Sequence, residues 1–305
     1  MSFGDFLSAP LKAMRFARGP VLGAPVLLTV FSVAVMLVAM WSYFGDPALA
    51  ILPAGDVPAS LSGLTIVLGI IALASIFATD VLAGAFVAPG VSRAVMGEKL
   101  SVGGAWALVK RRLGSLIVLY LVAGALMLGV MVLAFLPMLL ALAGDPAAGV
   151  AGLTISMALL FIVALPAFFM ITMFQGIARA IIVMENVSFR AAFRRTRLLI
   201  KGRFWWSVLI VFVCAVLISV IAGIFQSVGQ FGAIFVVLFM PESEIAVILA
   251  FVVLYGLTYI VSLALTYMYM GGVYALIYID ARMRHEGFDM DLARAAEARM
   301  MAGHH

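Results

Sequence analysis

The stretch Gly176-Ile177-Ala178-Arg179-Ala180-Ile181-Ile182-Val183-Met184-Glu185-Asn186-Val187-Ser188-Phe189-Arg190-Ala191-Ala192-Phe193-Arg194-Arg195-Thr196-Arg197-Leu198-Leu199-Ile200-Lys201 decides the fold. It closes one long apolar run, passes a short acidic loop and opens a helix with two unlike faces. Phe189, Ala192, Phe193, Thr196, Leu199 and Ile200 share one face, and Arg190, Arg194, Arg197 and Lys201 the other. Apolar runs at 149–178 and 204–224 flank this basic joint. A bilayer core needs about 20 apolar residues per crossing helix, and each run supplies them. Basic residues resist translocation, so the joint marks the cytoplasmic side.

The rest of the chain follows the same rule. Its 19 Lys and Arg residues form four clusters. Lys12, Arg15 and Arg18 make the first, and Arg93, Lys99, Lys110, Arg111 and Arg112 the second. The third runs from Arg179 to Arg203, and the fourth holds Arg282, Arg284, Arg294 and Arg299. Between clusters lie paired apolar spans whose turns carry acids: Asp46 and Asp56, then Asp145, then Glu242 and Glu244. The expected fold is an all-α membrane protein with six transmembrane helices at 21–44, 62–91, 114–143, 149–178, 204–224 and 246–279, and both termini inside. The first span is read as an uncleaved signal anchor, because its apolar run exceeds the 7–15 residues of a signal peptide. The segment 225–240 is either an interfacial helix or a re-entrant segment.

Composition agrees. Apolar residues make up 66% of the chain and charged residues 11%, with a mean hydropathy of +1.24. These values exclude an ordinary soluble domain and a disordered chain. The net charge of +5 flanks apolar spans, which points to anionic lipid headgroups and not to nucleic acid. The single cysteine, Cys214, permits no intrachain disulfide.

The spans read as three repeated hairpins of about 1–91, 101–178 and 188–284, each preceded by a basic amphipathic interfacial helix. Together they form one domain, 1–284, with a charged cytoplasmic tail at 285–305. Gly90-Val91-Ser92-Arg93-Ala94 matches Gly176-Ile177-Ala178-Arg179-Ala180, and Ser101 and Ser188 follow as N-caps. Near the N-terminus, Phe3, Phe6, Leu7, Leu11 and Met14 oppose Lys12, Arg15 and Arg18. Trp106 anchors the weaker amphipathic stretch 101–112. Such helices lie in the headgroup layer. Arg93, Lys110, Arg111, Arg112, Arg179, Arg190, Arg194, Arg197 and Lys201 are therefore the expected headgroup contacts.

Asp80 is the one acid well inside a span. At the bilayer centre an Asp costs about 2.5–3.5 kcal/mol, so it faces a bundle interior or water. Counting back 13 residues from Arg93 puts it near mid-membrane, and the same count from Arg179 reaches the helix breaker Pro166. Tyr255, Tyr259, Ser262, Thr266 and Tyr269 recur every 4, 3, 4 and 3 residues. They form one hydroxyl stripe, whose Tyr269 falls by the same count at the depth of Asp80. This set serves as interhelical hydrogen bonds, as a polar cavity or headgroup pocket, or as an ion-coupling site. Gly84, Gly90, Gly124 and Gly129 are expected to let helices approach closely, and Pro89 and Pro137 to kink their spans. His285, His304 and His305 have no metal-ligand spacing with Cys or acids. No phosphate-binding loop, serine nucleophile elbow, zinc-protease helix or dinucleotide fingerprint occurs in the sequence. Neither an enzyme nor a bound cofactor is expected.

The segments Gly90–Ala94 with the Ser101 helix, Gly176–Ala180 with Ser188–Thr196, and the tail from Ala275 to Leu292 carry a resemblance. They are similar to the YciC-like bacterial inner-membrane proteins and to the membrane domain attached to some glycerophosphoryl diester phosphodiesterases. In fused members the catalysis belongs to a separate soluble barrel, for which this chain has no room. The resemblance implies a membrane module without chemistry of its own. The leading expectation is a non-catalytic inner-membrane scaffold or accessory subunit that contacts anionic lipids and, through Arg282, Arg284, His285, Glu286, Asp289 and Asp291, a protein partner. The alternative is a lipid or small-solute transporter with a polar cavity around Asp80.

The sidedness has a direct test in whole cells. A membrane-impermeant thiol reagent added outside should label Asp145→Cys and leave Arg194→Cys unlabelled until the membrane is permeabilised.

Overall fold

The computed structural model describes residues 3–44, 46, 61–143, 149–239 and 250–286, and the regular structure among them is helical throughout. Six stretches are long and apolar enough to cross a membrane: Gly19–Tyr43, Gly63–Val95, Leu113–Ala141, Gly149–Glu185, Phe204–Val236 and Val252–Glu286. Their outer faces expose Leu128, Ile162, Trp205 and many other large apolar side chains. Water-soluble surfaces rarely carry continuous apolar area on this scale, whereas a lipid environment matches it.

In chain order the helices are α1 (Phe3–Phe16), α2 (Ala24–Phe44), α3 (Gly63–Val95), α4 (Val102–Lys110) and α5 (Leu113–Ala143). They continue with α6 (Gly149–Leu159), α7 (Leu165–Glu185), α8 (Phe189–Ile200), α9 (Phe204–Phe239) and α10 (Gly256–Glu286). A π-helical turn, Leu160–Ala164, joins α6 to α7 within one span. Pro166 falls in the first turn of α7, where its missing N–H is tolerated. Pro89 and Pro137 lie inside the unbroken helices α3 and α5.

The core forms around α10. Its most apolar window is 61% buried, against 11–33% in the other five spans. It packs on α9, α3, α1, α2 and α7. Residues 271–280 are buried without interruption, so this part of the helix is enclosed on every side. Close neighbours then require small residues. Gly271 lies against Val87 of α3 and Gly272 against Pro10 of α1. Residues 83–92 of α3 and 176–183 of α7 are buried in the same unbroken way. These three helix segments pack together.

Hydroxyl groups stitch successive spans, as expected where water cannot serve backbone and side-chain donors. The Thr79 hydroxyl donates to the Leu28 carbonyl over 3.1 Å. Ser156 accepts from the Met138 N–H over 3.0 Å. The Ser262 hydroxyl donates to the Ala222 carbonyl over 2.9 Å.

Several expectations need correction. Residues 225–239 simply continue α9, so the segment is neither re-entrant nor a separate interfacial helix. Its glycines are accommodated because Gly229 and Gly232 face Thr258 and Leu254 closely. Ser101 caps α4 by accepting from the Gly104 N–H over 3.1 Å. Ser188 makes no side-chain cap, and only its backbone carbonyl engages Ala192. Phe6, Ala13 and Met14 of α1 are buried against the protein's own core, while Leu11 stays exposed. Gly90 does allow a close approach, to Pro20 and Val21, but Gly124 and Gly129 face open space. Asp56, Asp145, Glu242, Glu244 and the tail beyond Glu286 lie outside the described residues.

Gly176 lies directly under the Tyr274 ring, with no room for a Cβ. Gly176→Ala should lower the stability of the detergent-solubilised protein by about 1–3 kcal/mol, read as an earlier thermal unfolding transition. Gly129→Ala, in open space, should leave the transition unchanged or raise it.

Candidate functional site

Asp80 projects from the middle of α3, one helical turn before Gly84. Beside it lies an open cavity of about 570 Å³ lined by α3, α5, α7, α9 and α10. The polar groups on its wall come from four helices: Asp80, Tyr120, then Thr172, Gln175 and Arg179, then Thr266, Tyr267 and Tyr274. Apolar side chains, among them Phe77, Met127, Phe168, Phe169 and Met270, complete it.

Arg179 organises the polar part. It is only 7% exposed. Its guanidinium donates to the Tyr120 hydroxyl. That hydroxyl donates in turn to the backbone carbonyl of Asp80 over 2.9 Å. The guanidinium also lies over the Tyr274 ring, 5.9 Å from its centre. Beneath it is Gly84, whose missing side chain leaves the space the guanidinium fills. Thr172 and Tyr274 line the same wall, the Thr172 hydroxyl donating to the Phe168 carbonyl over 2.9 Å, and Phe77 packs edge-on against Tyr120. Each contact has a sequence cause. On α7, Thr172, Gln175 and Arg179 recur at spacings of three and four. On α10, Tyr267, Gly271 and Tyr274 do the same. Each set therefore presents one face to the cavity.

Asp80 and Arg179 face the same space without closing on each other. Among the described residues no ion pair joins them, although each feels the other's charge. At 4 Å and an effective dielectric constant near 20, opposite charges attract by about 4 kcal/mol. The Tyr120 bridge holds the guanidinium short of that contact.

The hydroxyl stripe expected on α10 divides. Thr266 alone joins Asp80 in the cavity wall. Tyr259, Ser262 and Thr266 line an adjoining recess with Ser219 and Gln226 of α9. Tyr255 stacks on Tyr259 and is partly exposed. Tyr269 turns away, its hydroxyl 3.5 Å from the Leu7 carbonyl. Tyr267 lines the cavity with Asp80 instead. Two residues are about 200° apart around a helix, so Tyr267 and Tyr269 face opposite ways. Pro166 is not part of the cavity wall.

The expected headgroup contacts also divide. Arg93, Lys110, Arg111, Arg190, Arg194, Arg197 and Lys201 are exposed. Arg93 pairs with Glu98. Arg112 is half-buried and donates to Asn186 over 2.7 Å. Arg179 is turned inward, unlike Arg93 at the matching place in the sequence. The five-residue match reported the helix but not the direction its arginine takes.

Comparison with protein-family models, curated proteins and solved structures returns no match. Function must therefore be read from the site itself.

A second polar cluster ties the far end of α10 to α8. Tyr278 donates to Glu185 over 2.7 Å. Arg195 pairs with Glu185 and Glu286, and Arg282 with Glu286 over 2.8 Å. Partial burial pulls the Arg195 pKa down, but the hydrogen bond and charge of Glu185, and then Glu286, outweigh it and raise the pKa. Glu286, expected in a docking tail, is thus engaged within the fold. Among the described residues no group of three or more His, Cys, Asp or Glu is placed to hold a metal.

Tyr120→Phe removes the acceptor of a buried guanidinium and the donor to the Asp80 carbonyl. It should cost about 1–3 kcal/mol in thermal or denaturant unfolding, a large effect for one oxygen atom.

Proposed function

We propose that the chain is a multi-pass protein of a bacterial inner membrane that binds a charged or polar ligand within the bilayer and passes it between leaflets. The observation that carries this reading is the Asp80–Tyr120–Arg179 arrangement on the wall of an interhelical cavity. Bilayer-embedded charges are costly, and where they occur they mark ligand or ion pathways more often than simple structural glue. The adjoining recess lends support. It shares Ala215, Thr266 and Met270 with the cavity and adds Ser219, Gln226, Tyr259 and Ser262. A polar ligand leaving Asp80 along α10 would meet hydroxyl and amide groups before lipid.

The finer topology belongs to the same proposal. Three hairpins with both termini cytoplasmic agree with the charge pattern. They agree also with the buried ends of α3, α7 and α10, which occupy corresponding places in the three units. The YciC-like resemblance fits such a module. No catalytic role is proposed.

A scaffold or accessory role in contact with anionic lipids is a second reading. Exposed Arg190, Arg194, Arg197 and Lys201 on one side of α8 favour it. The two readings differ in whether the cavity is used.

Gly124 separates them, because it stands on the exposed edge of the cavity wall and an added Cβ meets nothing within 4 Å. Gly124→Leu should narrow the mouth of the cavity while leaving Asp80, Tyr120 and Arg179 unaltered. Mass spectrometry of gently purified protein should show a bound molecule in the wild type and at least tenfold less in Gly124→Leu, with unchanged thermal stability. Equal occupancy in both would favour the scaffold reading.

A further inference from the structure

We infer that the ligand of this cavity is a zwitterionic phospholipid with a primary ammonium, its phosphate at Arg179, its ammonium at Asp80 and an acyl chain in the apolar groove beside α8. This rests on the reading of the cavity as a ligand site and specifies what that site takes.

Three observations carry it. First, the cavity wall offers one basic and one acidic side chain, with no ion pair between them among the described residues. Arg179 is anchored by Tyr120 and the Tyr274 ring, and Asp80 stands on the neighbouring helix. A purely anionic headgroup would leave Asp80 facing a like charge. A purely cationic one would do the same to Arg179. A zwitterion satisfies both, and inside a low-dielectric bundle that difference is large.

Second, the partners suit these two groups unequally. Around Arg179, Gln175 shares the same face of α7 and adds an amide donor for phosphate oxygens, whereas the Thr172 hydroxyl donates to the Phe168 carbonyl. Around Asp80, the Thr266 and Tyr267 hydroxyl oxygens offer acceptors. A primary ammonium has three N–H donors for such acceptors, and a quaternary ammonium has none.

Third, an apolar groove of about 240 Å³ lies between α5, α7 and α8, on the other side of a wall that it shares with the cavity. It shares Ala123 and Gln175 with the cavity and is walled by side chains such as Leu126, Ile171, Phe174 and Phe193. A molecule filling both must be polar at one end and hydrocarbon at the other. Free zwitterions lack the second part.

Native mass spectrometry of the full chain in detergent, titrated with phosphatidylethanolamine, phosphatidylcholine, phosphatidylglycerol or free phosphoethanolamine, tests the assignment. Wild type should bind phosphatidylethanolamine at a saturable site at least tenfold more tightly than either other lipid, and free phosphoethanolamine far more weakly. Asp80→Asn should abolish the preference over phosphatidylglycerol while lipid binding persists. Gly124→Leu should weaken binding of all three lipids. Equal wild-type affinity for phosphatidylethanolamine and phosphatidylglycerol overturns the zwitterion assignment, whatever the variants do. Tight binding of free phosphoethanolamine overturns the lipid assignment in favour of a soluble zwitterion. Saturable lipid binding that Gly124→Leu removes, without headgroup preference, leaves the cavity reading standing and sinks this inference alone. Absence of saturable binding by any probe sinks both.

Discussion

A guanidinium enclosed by apolar helices must find its partners within the protein, and the arrangement around Arg179 follows from that requirement. Tyr120 supplies an oxygen, Tyr274 a ring face and Gly84 the space between them. These residues belong to α5, α10 and α3, while Arg179 itself belongs to α7. Satisfying one cation therefore brings four helices to one place. Tyr120 in turn gives its hydroxyl proton to the Asp80 carbonyl, so that both its donor and its acceptor are used within the protein. The cavity is what remains when these contacts keep Asp80 and Arg179 from closing on each other.

The enclosure of α10 makes the arrangement rigid. Lipid offers helices no hydrophobic drive to associate, so close packing and interhelical hydrogen bonds must hold the bundle. Gly271 and Gly272 let α3 and α1 come close on different sides of α10. Gly176 lets the Tyr274 ring lie flat on α7. Tyr274 thus packs against one part of α7 and receives the guanidinium of another. At the opposite end of this buried segment, Tyr278, Glu185, Arg195 and Glu286 join α7, α8 and α10 through charged contacts. The polar cavity is bounded on one side by a packed glycine seam and an ionic clasp, and on the other by the hydroxyl-lined recess.

Six apolar spans and the basic joints between them were legible because each depends on local composition, although the fifth, read as 204–224, runs on to Phe239. Asp80 stood out too, as a lone acid in an apolar run, and it lines the interhelical cavity. Its partners were not legible. Tyr269 was expected at Asp80 by counting depth along the axis, but depth says nothing about azimuth, and Tyr267 lines the cavity with Asp80 instead. Arg179 was read with the surface cations because its neighbours in sequence are basic and its pentapeptide matches that around Arg93. The signal that separates them is spatial: Arg179 has a glycine on an adjacent helix to lie over, and Arg93 has Glu98. The spacing of Thr172, Gln175 and Arg179 was available in the sequence, but a polar face carries meaning only once the facing helix is known.

The sequence by itself determined that this is a helical chain with six stretches suited to a bilayer, because hydropathy and charge act residue by residue along the chain. Only the tertiary structure decided which way each helix is rotated about its own axis. That rotation turned Arg179 inward and Tyr269 away, because packing between distant segments sets azimuth and no local pattern encodes it.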